Sequence, residues 1–389
     1  MTKIKAKYYI GLMSGTSADG IDLALVDFQN PNVQPKLIAS YYHAYDADIA
    51  EKITALYCPK SNEIDRAFEL DVELAYYFSH AITQLLAQEN LSDEDIIAIG
   101  SHGQTIRHRP SVRYPFTLQI GCGQTLACLT NIRVVGQFRV KDMALGGQGA
   151  PLVPAFHRQI FTQKTTDVFV VNIGGIANIS FLPAQTPSQE IMGFDTGPGN
   201  ALLDDWFNVH HANSEVNYDD NGAWAKQGRV NQLLLQQLLN DDYFRLTAPK
   251  STGREYFHLT WLTAQLEQYC QKEGHMLPAQ DVQATLTALT AFSIAQDIKR
   301  LAKHGQVYLG GGGAHNQQLV NEIKQQLTGE HLNCHFEVLL TSAQGIEGDV
   351  LEAIAFAWLA FAYDNRLLSN IPTVTGANRA CTLGIAFFP

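Results

Sequence analysis

The chain has 389 residues, of which 46% are hydrophobic and 17% are charged, and its formal net charge is −11. This length and composition predict two folded domains or one large α/β unit and exclude a largely disordered chain. The acidic balance argues against a nucleic-acid partner, because phosphate backbones are bound through basic surfaces. The longest apolar run, at residues 351–362, is shorter than the roughly 20 residues that span a bilayer, so we expect no membrane partner.

The expected location is the cytoplasm. Six scattered cysteines without a Cys-x-x-Cys pair indicate reduced and mostly buried thiols. The Lys-bearing arm at residues 1–7 lacks the apolar segment of a signal peptide.

The first predicted element is a β-hairpin, in which a Gly/Ser/Asp-rich loop at residues 14–20 joins apolar runs at 8–13 and 21–28. Residues 11–22 read GLMSGTSADGID. Glycines let a backbone approach a phosphate, successive N–H groups form an anion-binding nest, and aspartates hold magnesium through water. These properties predict a phosphate loop, with an ordinary hairpin turn as the alternative.

The rest of the first half contains a third strand at 37–43, a helix at 63–88 and a short buried strand at 96–100. The helical spacing places Phe68, Val72, Ala75 and Phe78 on one face. Two candidate substrate stretches follow: SHGQT at 101–105 carries hydrogen-bonding groups suited to sugar hydroxyls, and RVKD at 139–142 offers charges beside a Gly-rich loop. A Gly/Pro-rich stretch at 136–154 predicts a domain boundary.

The second half repeats the order of the first. Strands are predicted at 167–173, 176–182, 190–194 and 307–309, with a helix between Leu286 and Ala302. The repeated order predicts a duplicated α/β unit, with one lobe at 1–145 that residues 370–389 complete and a second lobe at 146–369.

Three motifs of the second half are candidates for chemistry. The Gly-Gly turn in VNIGGIANIS (171–180) is a second phosphate loop or a simple bulge, and GGGG (310–313) leaves room for a base or ribose or is a flexible loop. FDTGPGN (194–200) places Asp195 at the end of a strand, as a general base or as an Asx-turn residue.

Together and in this order, these motifs resemble those of the anhydro-N-acetylmuramic acid kinase family, over essentially the whole chain. The resemblance implies an actin-like (ribonuclease H-like) fold whose two lobes close over ATP in the cleft between them. It implies a reaction of ATP, water and 1,6-anhydro-N-acetylmuramic acid in bacterial cell-wall recycling, with Asp195 as the catalytic base. The family residues that imply ATP binding match Gly15, Thr16, Ser17, Ala18, Asp19, Gly20, Ile21, Asp22, Gly174, Gly175, Asn178, Gly310, Gly311, Gly312 and Gly313.

The resemblance also implies a Mg²⁺ ion, a homodimer and a sugar site. Asp19 and Asp22 are the expected magnesium residues, through water, with Glu347 and Glu352 as open alternatives. Arg139 or Lys141 is expected to bind the lactyl carboxylate of the sugar. The residues expected at the substrate are His102, Gln104, Thr105, Arg139, Asp142, Gly197 and Glu352.

Two other classes share some of these features. An actin-like ATPase that drives assembly or chaperone cycling would keep the phosphate loops but would not need Asp195. A dinucleotide-dependent oxidoreductase is suggested by the Gly-x-Gly at residues 121–123, but position 126, where the third glycine would stand, is Leu126. Release of ADP with and without the anhydro sugar separates the three classes.

Overall fold

The computed structural model describes residues 6–29, 34–184, 189–214, 216–328 and 334–389. Residues 1–5 of the predicted N-terminal arm lie outside the described part. The chain divides into two compact units, the first formed by Met1–Ile160 with Val350–Pro389 and the second by Phe161–Asp349.

The strands of the described residues, in chain order, are β1 Tyr8–Ser14, β2 Gly20–Asp27, β3 Lys36–Ala44, β4 Ile96–Arg109, β5 Phe116–Ile120, β6 Val134–Gly136, β7 Val168–Ile173, β8 Ile176–Leu182, β9 Met192–Pro198, β10 His304–Gly310, β11 His335–Leu340 and β12 Ile385–Phe387. The α-helices are α1 Ala47–Thr54, α2 Glu63–Gln88, α3 Gly123–Thr130, α4 Phe138–Ala144, α5 Val153–Phe161, α6 Ala201–His210, α7 Gln232–Leu239, α8 Leu259–Glu273, α9 Ala279–Leu301, α10 Gln317–Thr328, α11 Leu351–Asp364 and α12 Pro372–Thr375.

The two units contain sheets of the same topology. In the first unit the order is β12-β6-β4-β1-β2-β3, with β5 paired to β4, and in the second it is β11-β10-β7-β8-β9. Each sheet has an antiparallel three-strand meander, followed by two strands that run parallel to the first strand of the meander. This shared order confirms the predicted α/β fold of two duplicated actin-like lobes.

Strand β7 shows why these sequences form sheet centres. Its run VFVVNI is buried at nearly every position, as expected for a central strand covered on both faces. Helices α9 and α10 supply apolar side chains to the core of the second sheet. A separate core lies among α6, α7, α8 and the first half of α9. Among the described helices, none is long and apolar enough to cross a membrane.

The predicted buried face of the helix at 63–88 is partly wrong. Ala75 and Phe78 are buried, but Phe68 is 68% exposed and Val72 is 42% exposed. The helix carries two apolar stripes, and the one that packs on the sheet contains Ala67, Leu70, Leu74, Ala75, Phe78, Ala81, Ile82 and Leu85.

The predicted strand at 96–100 is too short, because β4 continues to Arg109 through the SHGQT motif. Its second half pairs with β5, a partner that lies beyond an intervening turn. The motif is therefore part of a buried strand and not the loop that follows one.

Helix α11 packs directly on the backbone of the first sheet. A Cβ at Gly11 would lie 1.7 Å from the carbonyl oxygen of Ala353, and one at Gly100 would lie 2.0 Å from that of Phe356. Only glycine permits this approach. The contact places α11 in the first unit, whereas the predicted lobe boundaries at 145/146 and 369/370 placed residues 351–364 in the second.

Candidate functional site

The first candidate loop joins β1 to β2 and is held in place by tyrosines. Tyr57 donates its hydroxyl to the carbonyl of Thr16 (2.9 Å), and Tyr42 donates to the carbonyl of Asp19 (3.0 Å). Inside the loop, the Ser17 hydroxyl donates to Asp19 Oδ1 (2.7 Å), and the Ala18 N–H donates to the carbonyl of Gly15 (3.2 Å). Ala18 has a φ of 55°, which the turn requires. The loop therefore has a fixed shape.

Gln104 ties this loop to β4. Its side-chain oxygen accepts from the Ser14 hydroxyl, and its amide nitrogen donates to the Gly15 carbonyl (3.0 Å) and to Tyr57 Oη (3.2 Å). Gln104 is fully buried. It was predicted as a sugar residue, and the structure places its side chain under the phosphate-loop candidate.

The glycines of the loop differ in whether the surrounding packing leaves room for a side chain. A Cβ at Gly20 would lie 2.6 Å from the carbonyl oxygen of His43, so the fold itself requires this glycine. A Cβ at Gly15 would meet only Ser17 Oγ, at 3.5 Å, which is an ordinary contact. Gly15 is therefore the position of this loop where a ligand's close approach would explain the glycine. Ile21 is a fully buried core residue of β2, and Asp22 pairs with Met13 across the hairpin.

Three of the predicted sugar residues lie together in the first unit. Arg139, on α4, donates from Nε (3.2 Å) and Nη2 (2.9 Å) to His102 Nε2 and from Nη1 to the carbonyl of Gly149 (2.9 Å). The His102 ring lies 4.7 Å from the ring of Phe356, on the helix that also carries Glu352. The charge of Arg139 acts on both His102 and Glu352.

The protonation of this group follows from its burial. Burial and the neighbouring Arg139 lower the pKa of His102 to about 3, so the ring is neutral at pH 7. Because Nε2 accepts from Arg139, the proton is assigned to Nδ1. Hydrogen bonding to the backbone of Gly103 and Ser14 opposes the lowering of the His102 pKa. Burial raises the pKa of Glu352 and the Arg139 charge opposes that rise.

The other predicted sugar residues have internal partners. The fully buried Asp142 carboxylate accepts from the Gly149 N–H (2.8 Å), the Asn370 amide (2.8 Å) and the Thr375 hydroxyl (2.7 Å). Thr105 Oγ1 accepts from the Gln119 amide (3.1 Å). Gly197, in the second unit, has a φ of 148°, and a Cβ there would lie 2.9 Å from the Phe244 ring. In the structure these contacts support the fold, and the predicted substrate roles stay predictions.

The second candidate loop is the turn between β7 and β8. The N–H groups of Gly199 and Asn200 donate to the carbonyls of Gly175 (2.9 Å) and Gly174 (2.8 Å), which ties the turn to the start of α6. A Cβ at Gly174 would meet nothing closer than the carbonyl oxygen of Ile176 at 3.6 Å. Like Gly15, this glycine follows the first strand of its sheet and is not demanded by packing.

Gly312, one of the four glycines at residues 310–313, borders a cavity of about 430 Å³. Gly311 has a φ of 79° and a Cβ there would clash with Asn172 Oδ1 at 2.3 Å, and Gly310 and Gly313 are also closely packed. A Cβ at Gly312 would be 3.8 Å from its nearest neighbour, Asn200 Nδ2. The cavity is lined by Asn200, Leu203, Asp204, Tyr218, Asp219, Asp220, Asn221, Gly312, His315, Asn316 and Asp349.

Asp204 gives this cavity an unusual carboxyl group. Burial, followed by the charge of Asp205, raises the pKa of Asp204 to about 7. A carboxyl group near its midpoint at neutral pH can either donate or accept a hydrogen bond.

Asp195 lies on β9, opposite Asn178 of β8, so the two side chains share a face of the sheet. Its Oδ2 accepts from the Ser251 hydroxyl (2.8 Å) and from the Thr252 N–H (3.0 Å). Burial raises the pKa of the Asp195 carboxyl, while these two donors lower it. A half-buried carboxylate of this kind is suited to accept a proton.

Sequence reasoning missed two groups of residues around these loops. One is the set of tyrosines at 42, 45 and 57, which carries no local motif. The other is the run KSTGRE at 250–255, whose mixture of hydroxyl, glycine and charge between apolar stretches was the available signal. Arg254 of this run donates to Asp205 (2.8 Å) and lies beside Gly175.

Comparisons with known proteins cover the whole chain. A family model described as anhydro-N-acetylmuramic acid kinase matches residues 7–389. The anhydro-N-acetylmuramic acid kinase of Colwellia psychrerythraea is 63% identical over 393 residues, covering 100% of this chain and 99% of that protein. The protein of the same name from Shewanella putrefaciens is 47% identical over 384 residues, covering 99% of each chain.

A likeness to a solved structure is much weaker. The (R)-2-hydroxyglutaryl-CoA dehydratase component A of Acidaminococcus fermentans matches 90% of this chain and 99% of its own, at 12% identity and a TM-score of 0.43. That score is too low to support an argument.

Proposed function

The chain belongs to the anhydro-N-acetylmuramic acid kinase family, and we propose that it uses ATP and water to convert 1,6-anhydro-N-acetylmuramic acid to N-acetylmuramic acid 6-phosphate and ADP. This is the phosphotransferase step of cell-wall recycling and amino-sugar catabolism. The observation that best supports the assignment of the chemistry is Asp195. It is a half-buried carboxylate that pairs with Asn178 on β8, the strand that follows the Gly174–Gly175 turn.

The proposed reaction couples hydrolysis to phosphoryl transfer. Asp195 takes a proton from a water molecule whose oxygen bonds to the anomeric carbon, C1. The bond between C1 and the bridging oxygen breaks, and its electron pair stays on O6. O6 then bonds to the γ-phosphorus of ATP, and the bond to the β–γ bridging oxygen breaks to release ADP.

The proposed ATP site uses the glycines that the fold leaves free. A Cβ at Gly15, Gly174 or Gly312 makes no close contact within the protein, so a phosphate or ribose approaching the backbone explains their identity. In the first unit the β1–β2 loop is the proposed phosphate contact, and in the second unit the β7–β8 loop and the cavity beside Gly312 are the proposed phosphate and nucleoside contacts.

Magnesium is proposed at Asp19 and Asp22 through water. Among the residues that the structure describes, no three His, Cys, Asp or Glu side chains gather into an all-protein metal site. The carboxylate pair on one hairpin fits Mg²⁺, which binds through one or two carboxylates, waters and substrate phosphates. When bound, the ion would neutralise phosphate charge, and the Ser17 hydroxyl holds the Asp19 carboxylate by donating to its Oδ1.

The sugar is proposed to bind at the group formed by the buried His102 and the half-buried Arg139 and Glu352. Arg139 supplies the positive charge for the lactyl carboxylate, since Lys141 instead donates to the carbonyl of Thr382 (2.6 Å). The His102 Nδ1–H is a donor for a sugar oxygen.

A homodimer is proposed through an apolar patch on the first unit. On β5, Leu118 lies opposite Arg107 of β4 and Phe116 lies opposite Arg109. Arg107 forms an ion pair with Glu63 at the start of α2. The exposed side chains of β5 therefore lie on the face of the sheet that carries this helix. The patch, with an exposed area on the order of 700 Å², approaches the roughly 800 Å² per partner of a standard interface. Its members, which we call the α2 patch, are Ile64, Phe68, Val72, Tyr76, Phe116 and Leu118.

A second copy of the chain is the occupant we propose, since one patch can pair with itself about a two-fold axis. Sedimentation velocity should show a dimer that Phe68→Asp converts to monomer. Met276→Asp is the control, because Met276 is 81% exposed in the second unit. A monomeric wild-type protein would end this proposal.

The cytoplasm is proposed as the location. All six cysteines are free thiols, although the expectation that they are mostly buried is wrong, because only Cys334 is buried and Cys58 and Cys128 are exposed. Exposed free thiols persist where the environment is reducing.

The function is tested by ADP release from the purified protein with and without the anhydro sugar. We expect release only with the sugar and a fall in kcat of roughly 10²–10⁴-fold in Asp195→Asn, the usual cost of losing a general base. Asp242→Asn is the matched control, because its side chain is 92% exposed. Oxygen-18 water should label C1 of product trapped early, and no label should reach phosphate.

Label in inorganic phosphate, or equal ADP release without the sugar, would indicate an ATPase of the switch type. Near-normal turnover by Asp195→Asn would remove Asp195 as the base.

A further inference from the structure

The carboxylate of Asp195 is held from one side only. Two groups, the Ser251 hydroxyl (2.8 Å) and the Thr252 N–H (3.0 Å), both donate to Oδ2. No described residue donates a hydrogen bond to Oδ1. A carboxylate fixed through one oxygen presents the other in a defined direction, which is the geometry that a general base needs.

The backbone of Asp195 is held by the same stretch of chain. Its N–H donates to the carbonyl of Lys250 (3.1 Å), and its carbonyl accepts from the Tyr243 hydroxyl (2.7 Å). Main chain and side chain are therefore both set by residues 243–252. Strand β9 alone would leave the carboxylate free to rotate about its side-chain bonds.

A buried ion pair anchors this stretch. Lys250 Nζ lies 2.8 Å from Asp297 Oδ2, and their side chains are 2% and 5% exposed. Arg300 Nη1 also donates to Asp297 Oδ1 (3.0 Å). Lys250 Nζ lies 5.0 Å from the centre of the Tyr243 ring. Buried ion pairs add little net stability, because desolvating the two charges offsets their attraction. Their geometric effect remains, and here it fixes the position of residue 250 and of the two donors that follow it.

We propose that Ser251 is a positioning residue for the reaction: with the Thr252 N–H, and anchored by the Lys250–Asp297 pair, it fixes Asp195 through Oδ2 so that Oδ1 faces the attacking water. The inference rests on the proposed role of Asp195 as the base. It adds a segment that no motif of the sequence pointed to.

The hydroxyl of Ser251 has an electrostatic effect that a purely structural residue would lack. It donates to the charged form of the carboxylate and so lowers the pKa of Asp195, against the burial that raises it. Removing the hydroxyl should raise that pKa. On the acidic limb of a kcat–pH profile, kcat falls because the base becomes protonated. This limb should then move to higher pH.

The test compares Ser251→Ala with Ser251→Thr and with Ser61→Ala, an exposed serine of the first unit. We expect Ser251→Ala to lower kcat about tenfold, the effect of one hydrogen bond of roughly 1.4 kcal/mol. KM for ATP and sugar should stay within twofold, and the acidic limb should shift upward. Ser251→Thr keeps the hydroxyl, so its kcat and the pH position of its acidic limb should both match those of the wild type. Ser61→Ala should match the wild type.

An unchanged kcat and acidic limb in Ser251→Ala, with Asp195→Asn inactive, would overturn the positioning role and leave the proposed function intact. Activity in Asp195→Asn would instead overturn the base assignment on which both rest. If Ser251→Ala unfolds, Ser251→Thr still decides, because it keeps the hydroxyl: a kcat well below that of the wild type with an unshifted acidic limb contradicts the proposal.

Discussion

Gly15→Val is the perturbation that most directly tests the first phosphate loop. In the protein alone the change should cost little, because a Cβ there meets only Ser17 Oγ at 3.5 Å and the backbone φ of Gly15 is not among the positive ones. Surface changes of this kind usually alter the free energy of unfolding by about 0.5 kcal/mol or less. The branched side chain would, however, occupy the space where a phosphate approaches the loop N–H groups.

The expected loss of binding can be set against that small cost. One hydrogen bond to a charged group contributes roughly 1.5–3 kcal/mol, so the loss of a single N–H contact weakens binding about 10- to 150-fold. Calorimetry with a non-hydrolysable ATP analogue measures this affinity, and urea unfolding measures stability on the same sample. Affinity should fall while unfolding stays cooperative.

Two glycines serve as matched controls. Gly274 has a φ of 77° and nothing within 4 Å of a Cβ, so Gly274→Val should lose about 1–2 kcal/mol of stability and no affinity. Gly311→Val combines a φ of 79° with a clash at 2.3 Å and should lose about 2–5 kcal/mol. Unchanged affinity in Gly15→Val would refute the placement of phosphate at this loop, and loss of cooperative unfolding would assign the effect to the fold.

Two further predictions concern buried carboxyl groups. Because burial raises the pKa of Asp204 to about 7, the free energy of unfolding of the wild type should fall as pH rises from about 4 to 7. At pH 8 the free energy of unfolding of Asp204→Asn should exceed that of the wild type by at most about 4 kcal/mol. Urea unfolding of both proteins at pH 5 and 8 measures this difference. Equal pH dependence of the two proteins would contradict this. Asp142→Ala should cost about 3–5 kcal/mol, because it leaves three buried donors without an acceptor, and a melting temperature near that of the wild type would show that these bonds are weak.

The sheet order could be predicted from the sequence because it follows from local patterns. Apolar runs of strand length, separated by glycine turns, occur in the same order twice, and each half folds into the same meander. The bounds of α2 and β8 agree with the predicted ranges for the same reason. These elements depend on neighbours that are close in the chain.

Features set by distant contacts could not be predicted. Helix α2 has one apolar stripe with Ala67 and Leu74 and another with Phe68 and Val72, and hydrophobicity alone does not say which one meets the sheet. The polar SHGQT run is strand because β5 pairs with it and because distant groups such as Tyr57 satisfy Gln104. Likewise, Ser251 reaches Asp195 across fifty-six positions of the chain, so the local run KSTGRE does not show which distant residue it contacts.

The glycines of the candidate site show the same difference between local patterns and distant contacts. In the sequence, Gly11, Gly15 and Gly311 look alike, since each stands in a glycine motif. In the structure, Gly11 is required by the backbone of α11, and Gly311 is required by its φ and by Asn172. Gly15 is required by neither, and the same holds for Gly174, which stands at the equivalent turn of the second sheet. A duplicated fold would not need an unconstrained glycine at both equivalent turns for packing, so their shared position supports the proposed phosphate binding at each.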